Sequence, residues 1–227
     1  MAQQDPHAKQ LLTGYPQDTV SLFAPDLIAA HGEVRHIEAL SNEVFNLDPQ
    51  ARSGLLDIAL KCTFADGTAH ILLLIEHWST AKSMDYRRTI RYWAELLWRH
   101  PDCLVVPIML VTDPSLSDPS RLPETFTYAV ADRPVASIHF RLHAITQAWR
   151  QRITGSRNVV EIVLWAVPND GNPVDRCFEA MRHIVPARPQ WPKGALATLL
   201  ACVTAMAKLK NRQQRQLRQR LEEDPTM

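Results

Sequence analysis

Hydrophobic and polar positions separate most clearly in two short runs. Residues 54–62, GLLDIALKC, are apolar with one acid among them, and residues 70–76, HILLLIE, are apolar again and close on another acid. Between them lies Asp66-Gly67, a strong short-range β-hairpin signal, so strands are expected at about 55–64 and 69–77. Over 82–100, Tyr86, Ile90, Trp93 and Leu97 recur at intervals of four, three and four, with Arg87, Arg88, Arg91 and Glu95 on other sides, which predicts an amphipathic helix. Residues 103–113, CLVVPIMLVTD, are apolar on both parities and fit a strand covered on both faces, although Pro107 argues for a broken ladder or an edge.

Further strands are expected at 125–130 and 135–142, after a proline- and serine-rich loop at 113–123. Beyond about residue 146 the pattern turns helical, at 157–167, 174–185 and in one long element from about 194 to 222. Residues 7–30, interrupted by Pro16 and Pro25, suggest one or two short helices. The order describes an α/β protein with a mixed β-sheet flanked by helices, its core at 1–145 and a C-terminal helical annex with a basic tail at 146–227.

Composition narrows the function classes. Twenty-five Lys and Arg stand against 24 Asp and Glu, so any contact with nucleic acid has to come from a local patch rather than a global field. Cys62, Cys103, Cys177 and Cys202 show no metal-ligand spacing and read as reduced core cysteines, which points to a cytoplasmic setting. The polar N-terminus offers no secretory pattern, and the 13-residue apolar stretch Ala195–Ala207 falls short of the roughly 20 residues a bilayer requires, so no membrane association is expected. Seven glycines without a phosphate loop, and nine histidines without zinc spacing, argue against nucleotide-binding folds and zinc enzymes. Self-association is left open.

Candidate chemistry comes from the hairpin register. If Asp66 and Gly67 are the two central turn residues, opposite positions sum to 133, and Asp57 faces Glu76. Carboxylates paired in this way, about 5 Å apart, repel by roughly 3 kcal/mol at an effective dielectric near 20. A shared proton, a basic neighbour or a bound cation has to offset this. An oxygen-only pair suits Mg²⁺ or Mn²⁺ and metal-assisted phosphodiester hydrolysis. The plainer alternative is an acid salt-bridged to an arginine such as Arg52 or Arg91, with a purely structural role.

The stretch LLDIALKCTFADGTAHILLLIEHWSTAKSMDYRRTIRYWAELL resembles the core of the Rpn, or YhgA-like, transposase-related family of the PD-(D/E)XK nuclease superfamily. The residues that carry the likeness are Asp57, the segment Glu76-His77-Trp78-Ser79, and Met84, Arg87, Arg91 and Tyr92. The resemblance implies a PD-(D/E)XK nuclease-like fold and Mg²⁺-dependent DNA endonuclease activity associated with recombination or mobile elements. Asp57 and Glu76 would be the metal ligands, and position 78 would orient the attacking water. Trp78 departs from the Lys of the superfamily and the Gln of the Rpn family; its indole donates a hydrogen bond but neither accepts one nor carries charge.

Arg52, Arg87, Arg88 and Arg91 are the candidate phosphate contacts. The basic segment 208–225 is a second candidate surface, with a solvated helix end as its plain reading. The alternative to a nuclease is a catalytically inactive relative that binds DNA or protein.

Overall fold

The computed structural model describes residues 6–40, 59–78, 86–111, 122, 124–130, 132–144, 155–167 and 171–225. In chain order the elements are α1 (Pro6–Gly14), α2 (Pro16–Phe23), α3 (Pro25–His31), β1 (Val34–Ala39), β2 (Leu60–Phe64), β3 (Ala69–Trp78), α4 (Tyr86–Arg99), β4 (Leu104–Val111), β5 (Thr125–Val130), β6 (Arg133–His139), β7 (Arg141–Ala144), α5 (Val159–Trp165), α6 (Pro173–Ala187), α7 (Ala195–Met206) and α8 (Asn211–Glu223). The class is α/β, as expected. Two units divide the chain: residues 23–144, and residues 5–22 together with 145–227. The sequence pattern put 5–22 with the sheet; these residues belong instead to the helical unit.

In the first unit a five-stranded sheet runs in the order β1-β2-β3-β4-β7. β1, β2 and β3 are antiparallel neighbours, whereas β3–β4 and β4–β7 are parallel. A parallel pair needs a crossover, and α4 supplies the one between β3 and β4. In β2, Leu60, Cys62 and Phe64 are buried and Lys61 and Thr63 only partly so, the period of a strand with one face on the core. β4 is buried at Val105 and at every position from Pro107 to Val111, as a strand covered on both faces must be.

Three expectations change in this unit. The hairpin loop holds three residues rather than two: the Phe64 amide donates to Thr68 O (2.9 Å), the Gly67 amide donates to Phe64 O (3.1 Å), and Gly67 takes φ +86°. That is a type I turn closed by a left-handed glycine. Rungs therefore run from Leu60–Leu72 to Thr63–Ala69 and sum to 132, not 133. Second, β5 and β6 form a separate two-stranded sheet instead of extending the large one. The break falls at Phe140, which is buried with Met109, Val111 and Leu122 while its amide donates to Glu124 O (2.7 Å). Third, the deepest positions of α4 are Thr89, Tyr92 and Leu96, about one residue round from the expected stripe. Trp93 lies at the margin, where its Nε1 donates to Val105 O (3.1 Å).

Pro107 sits where β3 and β4 change register. Leu72 pairs with Val106 and Ile75 with Ile108, so β3 spends one residue more than β4 over this stretch. A proline, having no amide to donate, suits a bulge.

In the helical unit, Asn158 caps α5 by accepting from the Glu161 amide (2.9 Å) and ties it to α2 by donating to Asp18 O (2.8 Å) and Ser21 Oγ (2.9 Å). The expected long element 194–222 is two helices. α7 ends with Lys208 at φ 53°, the Leu209 amide on Thr204 O and the Lys208 amide on Ala205 O. This is a Schellman cap with lysine in the usual glycine place, sealed by buried Leu209. All four cysteines are free and buried. No helix among the described residues is long and apolar enough to cross a membrane.

Candidate functional site

β3, β4 and β7 run parallel, and their carboxyl ends meet at the rungs Trp78–Val111 and Val111–Ala144. Ligands of open α/β sheets bind beyond such ends, where the backbone turns away from the ladder. Glu76 pairs with Met109, His77 with Leu110 and Trp78 with Val111, so the Glu76-His77-Trp78 segment occupies the last three rungs of β3. Alternation assigns positions 76 and 78 to one face of the strand and 77 to the other. Arg87 and Arg88 lie in the first turn of α4, and Arg91, in its second turn, is exposed. Asp57 and Arg52 fall outside the described residues.

The structure thus brings Glu76 and Trp78 to one end of the parallel strands. The turn register alone does not set Asp57 opposite Glu76, since its rungs sum to 132. Among the described residues no three of His, Cys, Asp and Glu gather into a set that could hold a metal. Glu76 is the one member of the expected ligand pair within the described region.

A second constellation, which sequence reasoning missed, lies at the opposite end of β3. His31, the last residue of α3, places Nδ1 2.9 Å from Asp66 Oδ2 and Nε2 3.1 Å from His70 Nε2. Asp66 also accepts from the Thr68 amide (2.9 Å) and hydroxyl (2.7 Å). These donors hold its carboxyl far down, at about 2, the Thr68 hydroxyl contributing most and His31 adding to it. His70 is buried, and among the described residues its Nδ1 has no hydrogen-bond partner. Burial first, and the neighbouring His31 second, push its pKa below the ordinary value.

The chain matches no family model, no curated protein and no solved structure.

The proton count of this second cluster shows what it does. An ionised Asp66 takes the His31 Nδ1–H, which leaves His31 Nε2 to accept from His70 Nε2–H. His70 Nδ1 is then a bare lone pair. A further proton on His70 puts an N–H at Nδ1, where it finds no acceptor among the described residues. The cluster fastens the end of α3 to the β2–β3 turn. Only the Asp66 turn signal was readable in sequence; histidines 35 and 39 positions from their partners leave no spacing to detect.

A third anchor lies on β7, where Arg141 donates to both carboxylate oxygens of Asp26 (2.5 and 2.8 Å) and keeps its pKa low. His143 beside it packs edge-on against Phe23 (5.1 Å) and is driven down to about 4 by burial.

Proposed function

We propose that the protein is a metal-dependent DNA endonuclease of the PD-(D/E)XK type, with Asp57 and Glu76 as its acidic pair. The observation that carries this reading is the extra residue of β3 between Leu72 and Ile75. The described β2–β3 rungs end at Leu60–Leu72 and sum to 132; if the same residue were also extra against β2, the sum beyond it would be 133 and 76 would count to 57. On this reading the facing pair would rest on a bulge rather than on the turn. Asp57 and Glu76 would hold Mg²⁺ or Mn²⁺, whose oxygen preference they suit, and the bound ion supplies a low-pKa water and neutralises charge on the phosphate. Glu76 and Asp57 fix the position of that charge, while Arg87, Arg88 and Arg91 on α4, with Arg52, are placed in the sequence to bind phosphate oxygens.

Plasmid nicking in Mg²⁺ or Mn²⁺ tests the reading: wild-type protein nicks, and Asp57→Ala does not. Nicking that survives this substitution removes the site from the mechanism. The same ion should raise the melting temperature of the wild type alone, because a ligand bound at ten times its Kd stabilises the folded state by about 1.4 kcal/mol.

Trp78 favours a second reading, a relative that binds DNA or protein without cutting, since an indole cannot accept a proton from water. That reading expects retention of DNA and no nicking with any divalent ion.

A further inference from the structure

Charge is unevenly distributed around α8. Leu217 is buried, and Arg220 near it is ion-paired with Asp175 and lies 4.4 Å from the Phe178 ring centre. Arg212, Arg215 and Arg218 recur every third residue and are exposed, and among the described residues none of them has an ion-pair partner. At 100° per residue they occupy an arc of roughly 120° centred on Arg215, about 160° away from Leu217. Exposed Lys208 and Lys210 continue the charge into the preceding turn. The acids of this end lie beyond the stripe: Glu222 follows Arg218 by one turn, Glu223 accepts from Gln219 (2.8 Å), and Asp224 is paired with Arg182 (3.6 Å).

We propose that the Arg212–Arg215–Arg218 face of α8 binds the phosphodiester backbone of DNA. The choice of DNA as the polyanion rests on the nuclease reading; the presence of a polyanion site rests on the stripe itself. Three guanidinium groups within about 9 Å of helix axis span the rise over which one duplex strand presents two or three phosphates. Guanidinium is the group best matched to phosphate oxygens. An anionic membrane fits less well, because the apolar side of α8, with buried Leu217, is already used within the helical unit and leaves no face to insert into lipid. Arginine–phosphate pairs of this kind read no bases, so binding is indifferent to sequence and strongly dependent on salt.

The experiment is fluorescence polarisation of a short labelled DNA duplex with the full chain in EDTA, which prevents cleavage, over a range of salt. The variant Arg212→Gln/Arg215→Gln/Arg218→Gln should bind at least about tenfold more weakly at low salt. Its log K against log salt slope should be shallower by about 2.7, or about 0.9 for each phosphate that is no longer neutralised. The corresponding Arg→Lys triple should keep the slope, and circular dichroism should show all three proteins equally folded. An unchanged slope in the glutamine variant overturns the proposal. So does stripe-dependent binding to phosphatidylserine vesicles that exceeds binding to DNA.

The nuclease reading fails separately. Salt-sensitive binding through the stripe with no nicking in any divalent ion leaves this site standing and removes the enzyme. Nicking lost in Asp57→Ala beside an unchanged slope keeps the enzyme and removes the stripe.

Discussion

At its amino end β3 enters a linked set of titratable groups: Asp66, His31 and His70 are joined by hydrogen bonds of 2.9 and 3.1 Å, and Thr68 supplies two more to the carboxylate. At its carboxyl end the same strand delivers Glu76 and Trp78 to the last rungs of a parallel pair, ahead of a helix with three arginines in its first two turns. At the first end the hydrogen bonds run between groups of the protein itself, and His70 Nδ1 alone in that cluster has no partner among the described residues. The second end lies where the parallel strands stop, the end at which open α/β sheets bind ligands. Perturbed titration by itself marks either a fastening or a site. What distinguishes them is whether the groups are used up by one another.

The largest effect expected from this contrast is a division of labour between variants. Asp57→Ala or Glu76→Ala should bring divalent-dependent nicking below detection with little change in melting temperature. His31→Ala should lower the melting temperature and leave nicking per folded molecule unchanged. If His31→Ala abolishes nicking in protein that is still folded, the amino end is the site and the comparison is inverted.

Next in size is Trp78→Gln or Trp78→Lys. Each places at position 78 a group able to hold a water, and general acid–base assistance is worth about 10²–10⁴-fold. A gain of at least about tenfold in nicking over the wild type identifies that position as the limiting one. Loss of activity shows that the indole itself is required.

Acidification should act on the amino end in two steps. The folded protein holds His70 below its ordinary pKa, so the unfolded chain takes up a proton near pH 6.5 that the folded chain declines. This contribution to stability is complete above about pH 7 and is lost progressively as pH falls from about 6.5 towards the lowered pKa of the folded state. His143, driven down to about 4 by burial, and His100, lowered mainly by burial, add to it with the same sign. Asp66 at about 2 adds a later loss, beginning near pH 4, where the unfolded carboxyl protonates and the folded one does not. Between about pH 7 and 5.5 His70→Leu should lose less melting temperature than the wild type, the difference being about 2–4 °C for each kcal/mol involved. Equal losses would mean that His70 does not govern the fall.

Local pattern made some of this legible and backbone detail hid the rest. β4 was readable because a strand buried on both faces is apolar at consecutive positions, and the hairpin because Asp-Gly punctuates two apolar runs. β1 escaped because Arg35, His36 and Glu38 are exposed and leave only Val34 and Ile37 buried. The break between α7 and α8 escaped because a lysine fills the left-handed position that glycine normally marks. The three arginines of α8 were visible as a basic tail, but that they share a side away from Leu217 required the helix to end and restart at 211. For the hairpin, the two strands were legible and the register was not. Two- and three-residue loops use the same Asp-Gly pair and differ by one position, and a bulge at 73–74 has no side-chain signature.

The smallest effect concerns the turn that separates the two ends. Gly67 has φ +86° with nothing near the position of an added Cβ, so Gly67→Ala meets backbone strain alone. A left-handed alanine costs about 1–2 kcal/mol, to be read as a lower denaturant midpoint with an unchanged slope. The increment in melting temperature that Mg²⁺ produces should be the same in this variant as in the wild type. Beyond Leu72 the register of β3 follows β4, whose rungs from Ile75 to Trp78 form across a shift that owes nothing to the turn. Strain at residue 67 should thus weaken the His31–Asp66–His70 fastening and leave the carboxyl end aligned. If the Mg²⁺ increment disappears together with the turn, the hairpin sets the acidic pair after all, and the two ends of the strand are one device.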